Sequence, residues 1–275
     1  MEPYPPPGRH RGLLKNRFRR HGIYWLPNLI TSGAMFAGFY AIVQAMNGRF
    51  ELAAMAIFVA MVLDGLDGRV ARFTRTQSAF GVEYDSLSDM VSFGLAPALI
   101  AYVWALQVMG RLGWVAAFVY CLGAALRLAR FNTQVEVADK RFFQGMPSPA
   151  AACLVAGLVW AMNEYQIQGR DIRWLAWSVT LFAGLTMVSN VPYYSGKDIN
   201  LRKSVPFWVV VVIAFTIGIV VSFANTLPEL LFGLSVSYAA SGYVYGTMRY
   251  LERRRASRRQ IPPNSGTGGP GSDGT

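Results

Sequence analysis

Cysteine, histidine and charged side chains are all scarce in this 275-residue chain, and each scarcity argues against a kind of chemistry. The two cysteines, Cys121 and Cys153, fall in apolar stretches away from other metal-binding side chains, which argues against a zinc site or a disulfide framework. The two histidines, His10 and His21, precede the first apolar stretch, so histidine-based catalysis is not expected. Charged residues make up 15% of the chain, against about 25% in soluble domains, which argues against a soluble protein.

Apolar segments, by contrast, recur along nearly the whole chain, of which 53% is hydrophobic. A helix needs about 20 apolar residues to cross a bilayer. Eight segments approach that length, and no linker between them is long enough to separate soluble domains. The pattern therefore predicts an all-α, polytopic membrane protein with one membrane domain over residues 24–248 and about eight transmembrane helices, at 24–46, 50–72, 86–109, 112–131, 147–165, 173–192, 206–224 and 228–248.

The two ends of the chain differ from this domain in composition. Residues 1–23 are Pro-rich and then basic, with no apolar run before Ile23, so no removable signal peptide is expected. Within them, residues 13–22 mix apolar and basic side chains, which favours an amphipathic helix on the membrane surface; a disordered basic tail is the alternative. Residues 249–275 begin basic and end rich in Ser, Gly and Pro, which predicts a disordered C-terminal tail.

The net charge of +11 could indicate a nucleic-acid partner, but the distribution of the basic residues indicates a membrane topology instead. If the eight segments span the membrane and the N-terminus is inside, 22 of the 26 Lys and Arg residues fall on the inner side. Such a bias is typical of cytoplasmic segments. We therefore expect both termini in the cytoplasm, contact with membrane lipids and no nucleic-acid partner. The absence of a targeting segment favours a bacterial inner-membrane location.

Four aspartates stand near the junction of the second and third predicted spans, in the order Asp64, Asp67, Asp85 and Asp89. Residues three or four apart share one face of a helix, so Asp64 and Asp67 lie on one face of the second span. Gly81, Asp85 and Asp89 follow one another at four-residue intervals where the third span begins. If the two helices pack side by side, the carboxylates meet along one seam, where like charges repel unless cations neutralise them.

The composition of this cluster predicts its ligand. Carboxylates without histidine or cysteine select hard cations, so Mg²⁺ or Mn²⁺ is expected, and two such ions can clamp a diphosphate. Gly68 and Gly81 leave room for a ligand near the backbone, and Arg72 can contact a phosphate. Two alternatives stay open: a cation-coupled transporter, which also keeps carboxylates in its spans, and helix ends joined by salt bridges to Arg69, Arg72 and Arg75.

The spacing resembles the signature of the CDP-alcohol phosphatidyltransferase family, through Asp64, Asp67, Gly68, Ala71, Arg72, Gly81, Asp85 and Asp89. Members are integral membrane enzymes with six core helices, often homodimers. They transfer a phosphatidyl-type group from a CDP-linked lipid to an alcohol and release CMP. The resemblance implies that the four aspartates bind two metal ions and that Asp89 is also the general base. It further implies nucleotide-lipid contacts by Asn28, Thr31, Gly68, Ala71, Arg72, Ser78 and Gly81.

Three further segments, 126–132, 143–151 and 189–193, resemble the branch of this family that uses L-serine. The resemblance implies CDP-diacylglycerol and L-serine as substrates; glycerol 3-phosphate, inositol phosphate and choline are the alternative acceptors. An amino-acid acceptor needs a cation for its carboxylate and polar partners for its ammonium group. The candidates are Arg127, Arg130, Asn132, Asn190 and Lys197, although the two arginines could instead anchor a helix end at the head groups.

Overall fold

The structure is a computed structural model that describes residues 10–74, 76, 78–134, 142–194 and 226–259. Helices occupy the positions of seven of the eight predicted spans, and the span predicted at 206–224 lies outside the described residues. The helices are α1 (His10–Met46), α2 (Phe50–Thr74), α3 (Ala79–Asp89), α4 (Ala96–Ala101), α5 (Arg111–Gln134), α6 (Ser148–Glu164), α7 (Arg173–Val188) and α8 (Leu227–Arg259).

The third predicted span is one helical rod with irregular turns. π-helical stretches at Met90–Leu95 and Tyr102–Leu106 flank α4, and a 3₁₀ turn at Gln107–Met109 ends the rod. Pro97 stands in the first turn of α4. Proline has no N–H to donate and its ring crowds the preceding turn, which is a local reason for the wider turn before it.

Within the described residues, three helical segments are long and apolar enough to cross a membrane: Trp25–Met46, Ala79–Met109 and Arg111–Thr133. Helix α7 is a shorter apolar helix. These segments confirm the predicted class, an all-α membrane protein, while the number of spans stays a prediction.

The basic segment at each end of the described chain belongs to the same helix as the neighbouring predicted span. The segment 13–22 is helical, but it is the beginning of α1 and is not separated from the first span, even at Pro27. At the other end, α8 carries the last predicted span on to Arg259. The tail predicted to be disordered beyond it lies outside the described residues.

The helices approach one another closely because small residues line their contacts. Helices α1 and α2 pack against each other, and their buried alanines stand at positions 34, 37, 41, 45, 53, 54, 56 and 60. Helices α5 and α7 meet where Gly123 faces Gly184, and a Cβ atom on Gly123 would overlap the Gly184 carbonyl oxygen. Close packing of this kind gives the bundle the rigidity that a charged site between its helices requires.

A short two-stranded ribbon is the one sheet in the described residues, and the sequence pattern did not indicate it. Strand β1 (Phe142–Gln144) pairs antiparallel with β2 (Pro192–Tyr194), with Phe143 opposite Tyr193. After β1 the chain turns at Gly145, whose φ is +82° and whose N–H donates to the Val191 carbonyl at 2.9 Å. The ribbon therefore ties the segment before α6 to the segment after α7.

Candidate metal centre and active site

Three of the four aspartates meet between α2 and α3. One carboxylate oxygen from each of Asp64, Asp67 and Asp85 lies within 4.8 Å of the other two. The Asp67 side chain is buried, with 4% of its surface exposed. The spacing along each helix puts the carboxylates on one face, and the packing of the two helices brings the faces together.

Asp85 supplies the observation that tests whether this cluster fits a cation. Its Oδ1 atom is buried and has no hydrogen-bond partner, while the carboxylates of Asp64 and Asp67 repel it. A buried carboxylate oxygen without a partner is costly, and like charges nearby raise the cost. A hard divalent cation bound by these oxygens would remove both costs, so the residues fit Mg²⁺ or Mn²⁺. Salt-bridged helix ends would not leave this oxygen without a partner.

Thr31 fixes the position of Asp67. Its Oγ1 donates to Asp67 Oδ2 at 2.6 Å, and its carbonyl oxygen accepts a hydrogen bond from Ser88 Oγ at 3.1 Å. Thr31 therefore ties α1 both to α2 and to α3 beside the carboxylates. Its expected contact with the nucleotide lipid stays a prediction.

Asp89 lies beside the three-carboxylate group and not within it. Its carboxyl group is hydrogen-bonded to that of Asp64, which requires a proton on one of the two groups. Arg127 on α5 supplies positive charge nearby, since its guanidinium interacts electrostatically with both carboxyl groups. Its Nη1 atom donates to Ser148 Oγ at 2.7 Å, which fixes the guanidinium at the start of α6.

The α2 residues expected to contact the nucleotide lipid border open space. Gly68 is exposed, and a Cβ atom there would meet nothing within 4 Å. Arg72 is exposed, and its Nε atom donates to the Gly68 carbonyl at 2.9 Å. Ala71 is half-buried on the same turn. A ligand can therefore approach the α2 backbone next to Asp67 and next to a guanidinium group.

The residues at α1 and α3 that are also expected to contact the nucleotide lipid lie close to one another. Asn28 Oδ1 and Ser78 Oγ lie 3.5 Å and 3.2 Å from the point where a Cβ atom on Gly81 would stand. Ser78 is the N-cap of α3, because its Oγ atom accepts a hydrogen bond from the Gly81 N–H at 3.0 Å. The cap gives Ser78 a structural role that the sequence pattern alone did not indicate.

Of the residues expected to bind serine, those that the structure describes form separate hydrogen-bonded pairs and not one cluster. Asn132 donates through Nδ2 to Ser86 Oγ at 3.0 Å, which links the end of α5 to α3. Arg130 donates through Nη1 to Asn190 Oδ1 at 3.3 Å, which links α5 to the segment before β2. Lys197 lies outside the described residues.

Two serines that hold these groups were missed by the sequence reasoning. Ser148 accepts from Arg127 and is fully buried, and Ser86 exchanges hydrogen bonds with Asn132. Ser86 stands between Asp85 and Asp89, and this position was the only signal that could have indicated it. Serine is too common in helices for its position alone to reveal a partner on another helix.

The comparison with known families agrees with this arrangement of a bundle and a carboxylate seam. A family model described as CDP-alcohol phosphatidyltransferase matches residues 24–188, which contain all four aspartates as well as Arg127 and Arg130. The chain belongs to the CDP-alcohol phosphatidyltransferase family. It is accordingly a membrane-bound transferase of phospholipid biosynthesis, which decides against the cation-coupled transporter.

Curated relatives narrow the comparison further. A protein of Helicobacter pylori (strain ATCC 700392 / 26695) named CDP-diacylglycerol–serine O-phosphatidyltransferase is 40% identical over 178 residues, covering 65% of this chain and 75% of the relative. A protein of Methanocaldococcus jannaschii with the same name is 32% identical over 197 residues, covering 71% and 82%. One of Mycobacterium tuberculosis (strain ATCC 25618 / H37Rv), again with this name, is 44% identical over 173 residues, covering 61% and 60%.

Proposed function

We propose that this protein transfers the phosphatidyl group of CDP-diacylglycerol to the hydroxyl group of L-serine and releases CMP. One observation carries the chemistry: three carboxylate oxygens lie within 4.8 Å of one another, and Asp89 beside them interacts electrostatically with Arg127. The choice of serine is supported by the names of the relatives and by the three segments that resemble the serine-using branch.

The carboxylates of Asp64, Asp67 and Asp85, with Asp89 beside them, would hold Mg²⁺ or Mn²⁺, and we expect two ions. When bound, such ions neutralise the diphosphate and stabilise the charge on the departing CMP. Thr31 keeps Asp67 in place for this task through their 2.6 Å hydrogen bond.

The donor nucleotide lies along the glycine positions of α2 and α3. The exposed backbone at Gly68 and the small residue at Gly81 let the diphosphate approach, and Arg72 contacts a phosphate oxygen. Asn28, next to Gly81, contacts the nucleotide. The acyl chains remain in the bilayer between helices, because their transfer into water is unfavourable.

The acceptor side uses Asp89 and Arg127. Arg127 binds the serine carboxylate, which brings the serine hydroxyl next to the Asp89 carboxylate. Asp89 takes the proton of the serine hydroxyl while the serine oxygen attacks the phosphorus that carries diacylglycerol. The bond from this phosphorus to the CMP oxygen then breaks. Positioning and electrostatic stabilisation account for the rate, and no covalent enzyme intermediate is required.

The topology belongs to the same proposal. The carboxylates lie in the second halves of α2 and α3, and the charge bias assigns the connection between these helices, residues 75–78, to the cytoplasm. We infer a bacterial inner-membrane enzyme whose site opens to the cytoplasm, with one membrane domain over residues 24–248 between basic tails. We expect a homodimer by analogy with the family.

An acceptor panel tests the proposal. Purified protein in vesicles containing labelled CDP-diacylglycerol is given L-serine, glycerol 3-phosphate, inositol phosphate or choline, and CMP and labelled lipid are measured. We expect a labelled aminophospholipid and CMP with L-serine alone. Product with one of the other alcohols and none with serine would assign the protein to another branch of the family. An Asp85→Asn variant serves as the control for background hydrolysis.

A further inference from the structure

Helix α8 lies beyond the part of the chain that the family model matches, which ends at residue 188. It nevertheless packs against the proposed acceptor side of the site. Its main contacts are with α6 and β2, whereas the proposed donor side is built from α1, α2 and α3. Helix α8 carries none of the four aspartates, so any contribution it makes to the site must come through the residues that it contacts.

Tyr193 of β2 is the centre of the contact. Its side chain is fully buried, and its hydroxyl donates to the Ala239 carbonyl of α8 at 3.0 Å. Its ring packs against Tyr238, with ring centroids 5.5 Å apart. The ring also occupies the space that a side chain at Gly242 would need, because a Cβ atom there would overlap the ring carbons. Tyr193 therefore sits in a notch of α8 whose floor is Gly242.

Tyr193 is connected to Arg130 along its own segment. Asn190 precedes it by three residues and accepts the hydrogen bond from Arg130 Nη1. The hydroxyl groups of Thr186 and Tyr243 form a second contact between the same region and α8, at 2.8 Å. The notch thus fixes the segment that holds Arg130.

Tyr193 is connected to Arg127 through the ribbon. It pairs with Phe143 of β1, and the chain leads from β1 to Ser148, which accepts the hydrogen bond from Arg127. The phenol of Tyr238 also lies within electrostatic range of the Arg127 guanidinium. Both arginines considered for the serine carboxylate are therefore tied to α8 by way of this one buried tyrosine.

We propose that Tyr193, seated in the Gly242 notch of α8, is a positioning residue for the acceptor amino acid. Through the ribbon it sets the places of Arg127, Arg130 and Asn190, while the residues that hold the nucleotide lipid lie on helices outside this contact. The inference rests on the proposed function for the identity of the acceptor. It assigns to α8 an effect on acceptor binding and none on donor binding.

Two glycine substitutions on α8 test this. Gly242→Ala places a methyl group against the Tyr193 ring, whereas Gly233→Ala is the matched control, since its Cβ would meet nothing within 4 Å. Both changes raise helix propensity by the same amount. We expect Gly242→Ala to raise the KM for serine about tenfold, the effect of weakening one charge-assisted hydrogen bond, with the KM for CDP-diacylglycerol unchanged. Gly233→Ala leaves both constants unchanged.

A second variant keeps the test decisive if Gly242→Ala does not fold in detergent. Tyr193→Phe keeps the ring and removes only the hydrogen bond to Ala239, so we expect a smaller rise in the KM for serine, again without a change for the donor. An unchanged KM for serine in a folded Gly242→Ala or Tyr193→Phe protein overturns the proposal. So does an equal rise in both constants, which would indicate a general loss of structure.

Failure of the proposed function is recognised separately. If the wild-type protein uses another alcohol, the assignment of serine is wrong, and the same comparison of variants is made with that alcohol. A selective rise in its KM then supports the positioning role, and the absence of such a rise refutes it.

Discussion

Replacing Asp89 with asparagine removes the proposed base and leaves the structure around it in place. The amide has nearly the same size and can donate through Nδ2 to the Asp64 carboxylate, to which Asp89 is hydrogen-bonded. The change also removes one negative charge from a crowded group. We therefore expect Asp89→Asn to unfold at the same temperature as the wild type or higher, so that a loss of activity reports on the chemistry.

The expected loss follows from the role of a general base, which contributes about 10²–10⁴-fold to a rate. This range corresponds to about 3–5 kcal/mol of transition-state stabilisation, at 1.36 kcal/mol for each factor of ten. The carboxylates of Asp64, Asp67 and Asp85 are unchanged in the variant. The affinity for CDP-diacylglycerol should therefore stay within about twofold of the wild type, well under 1 kcal/mol.

The assay is CMP release from CDP-diacylglycerol at saturating serine, together with direct binding of the donor lipid. Asp171→Asn is the control, since Asp171 is an exposed carboxylate in the connection between α6 and α7. A kcat for Asp89→Asn within tenfold of the wild type refutes the assignment of the base. Recovery of kcat at high Mg²⁺ concentration refutes it as well, because Asp89 would then act chiefly as a metal ligand.

Three other outcomes are expected. Thr31→Val deletes the 2.6 Å hydrogen bond to the buried Asp67 carboxylate, so the free energy of unfolding should fall by about 1.5–3 kcal/mol and half-maximal activity should need more Mg²⁺. Gly145→Ala should destabilise far more than Gly48→Ala: both positions have positive φ, but only at Gly145 would the methyl group overlap a carbonyl oxygen, that of Met187. Chelation of divalent metal should stop CMP release, and added Mg²⁺ or Mn²⁺ should restore it.

Thermal unfolding in detergent and CMP release are the measurements in each case. Wild-type stability and metal dependence in Thr31→Val would show that the hydrogen bond does not organise Asp67. Equal losses of stability at Gly145 and Gly48 would show that the ribbon turn is less crowded than the structure indicates. Full activity in the presence of a chelator would contradict the metal role of the carboxylates.

The helices and the seam were largely predictable because both depend on local spacing. Seven predicted spans coincide with helices in the described residues, and Asp64 and Asp67 had to share a face of α2 whatever the rest of the fold. The positions of Asp85 and Gly81 on one face of α3 follow from the same geometry. The sequence also indicated that carboxylates without histidine or cysteine would favour a hard cation.

The contacts of Arg127 could not be predicted in this way. The sequence indicated an arginine near the end of a span, with serine binding or anchoring of the helix as its roles. Its hydrogen bond to Ser148 and its proximity to Asp89 depend on how α5 lies against α6 and α3. The spacing of residues within α5 does not indicate which helices pack against it.

The sequence by itself determined which segments are helical, which faces carry carboxylates and which family the chain resembles, since each depends on residues a few positions apart. Only the tertiary structure decided that Arg127 interacts electrostatically with Asp89, that residues 142–144 pair with residues 192–194, and that the ring of Tyr193 packs against Gly242. These contacts join residues far apart in the chain. They arise from the way small residues let whole helices approach one another, and a single sequence does not encode that approach in any local pattern.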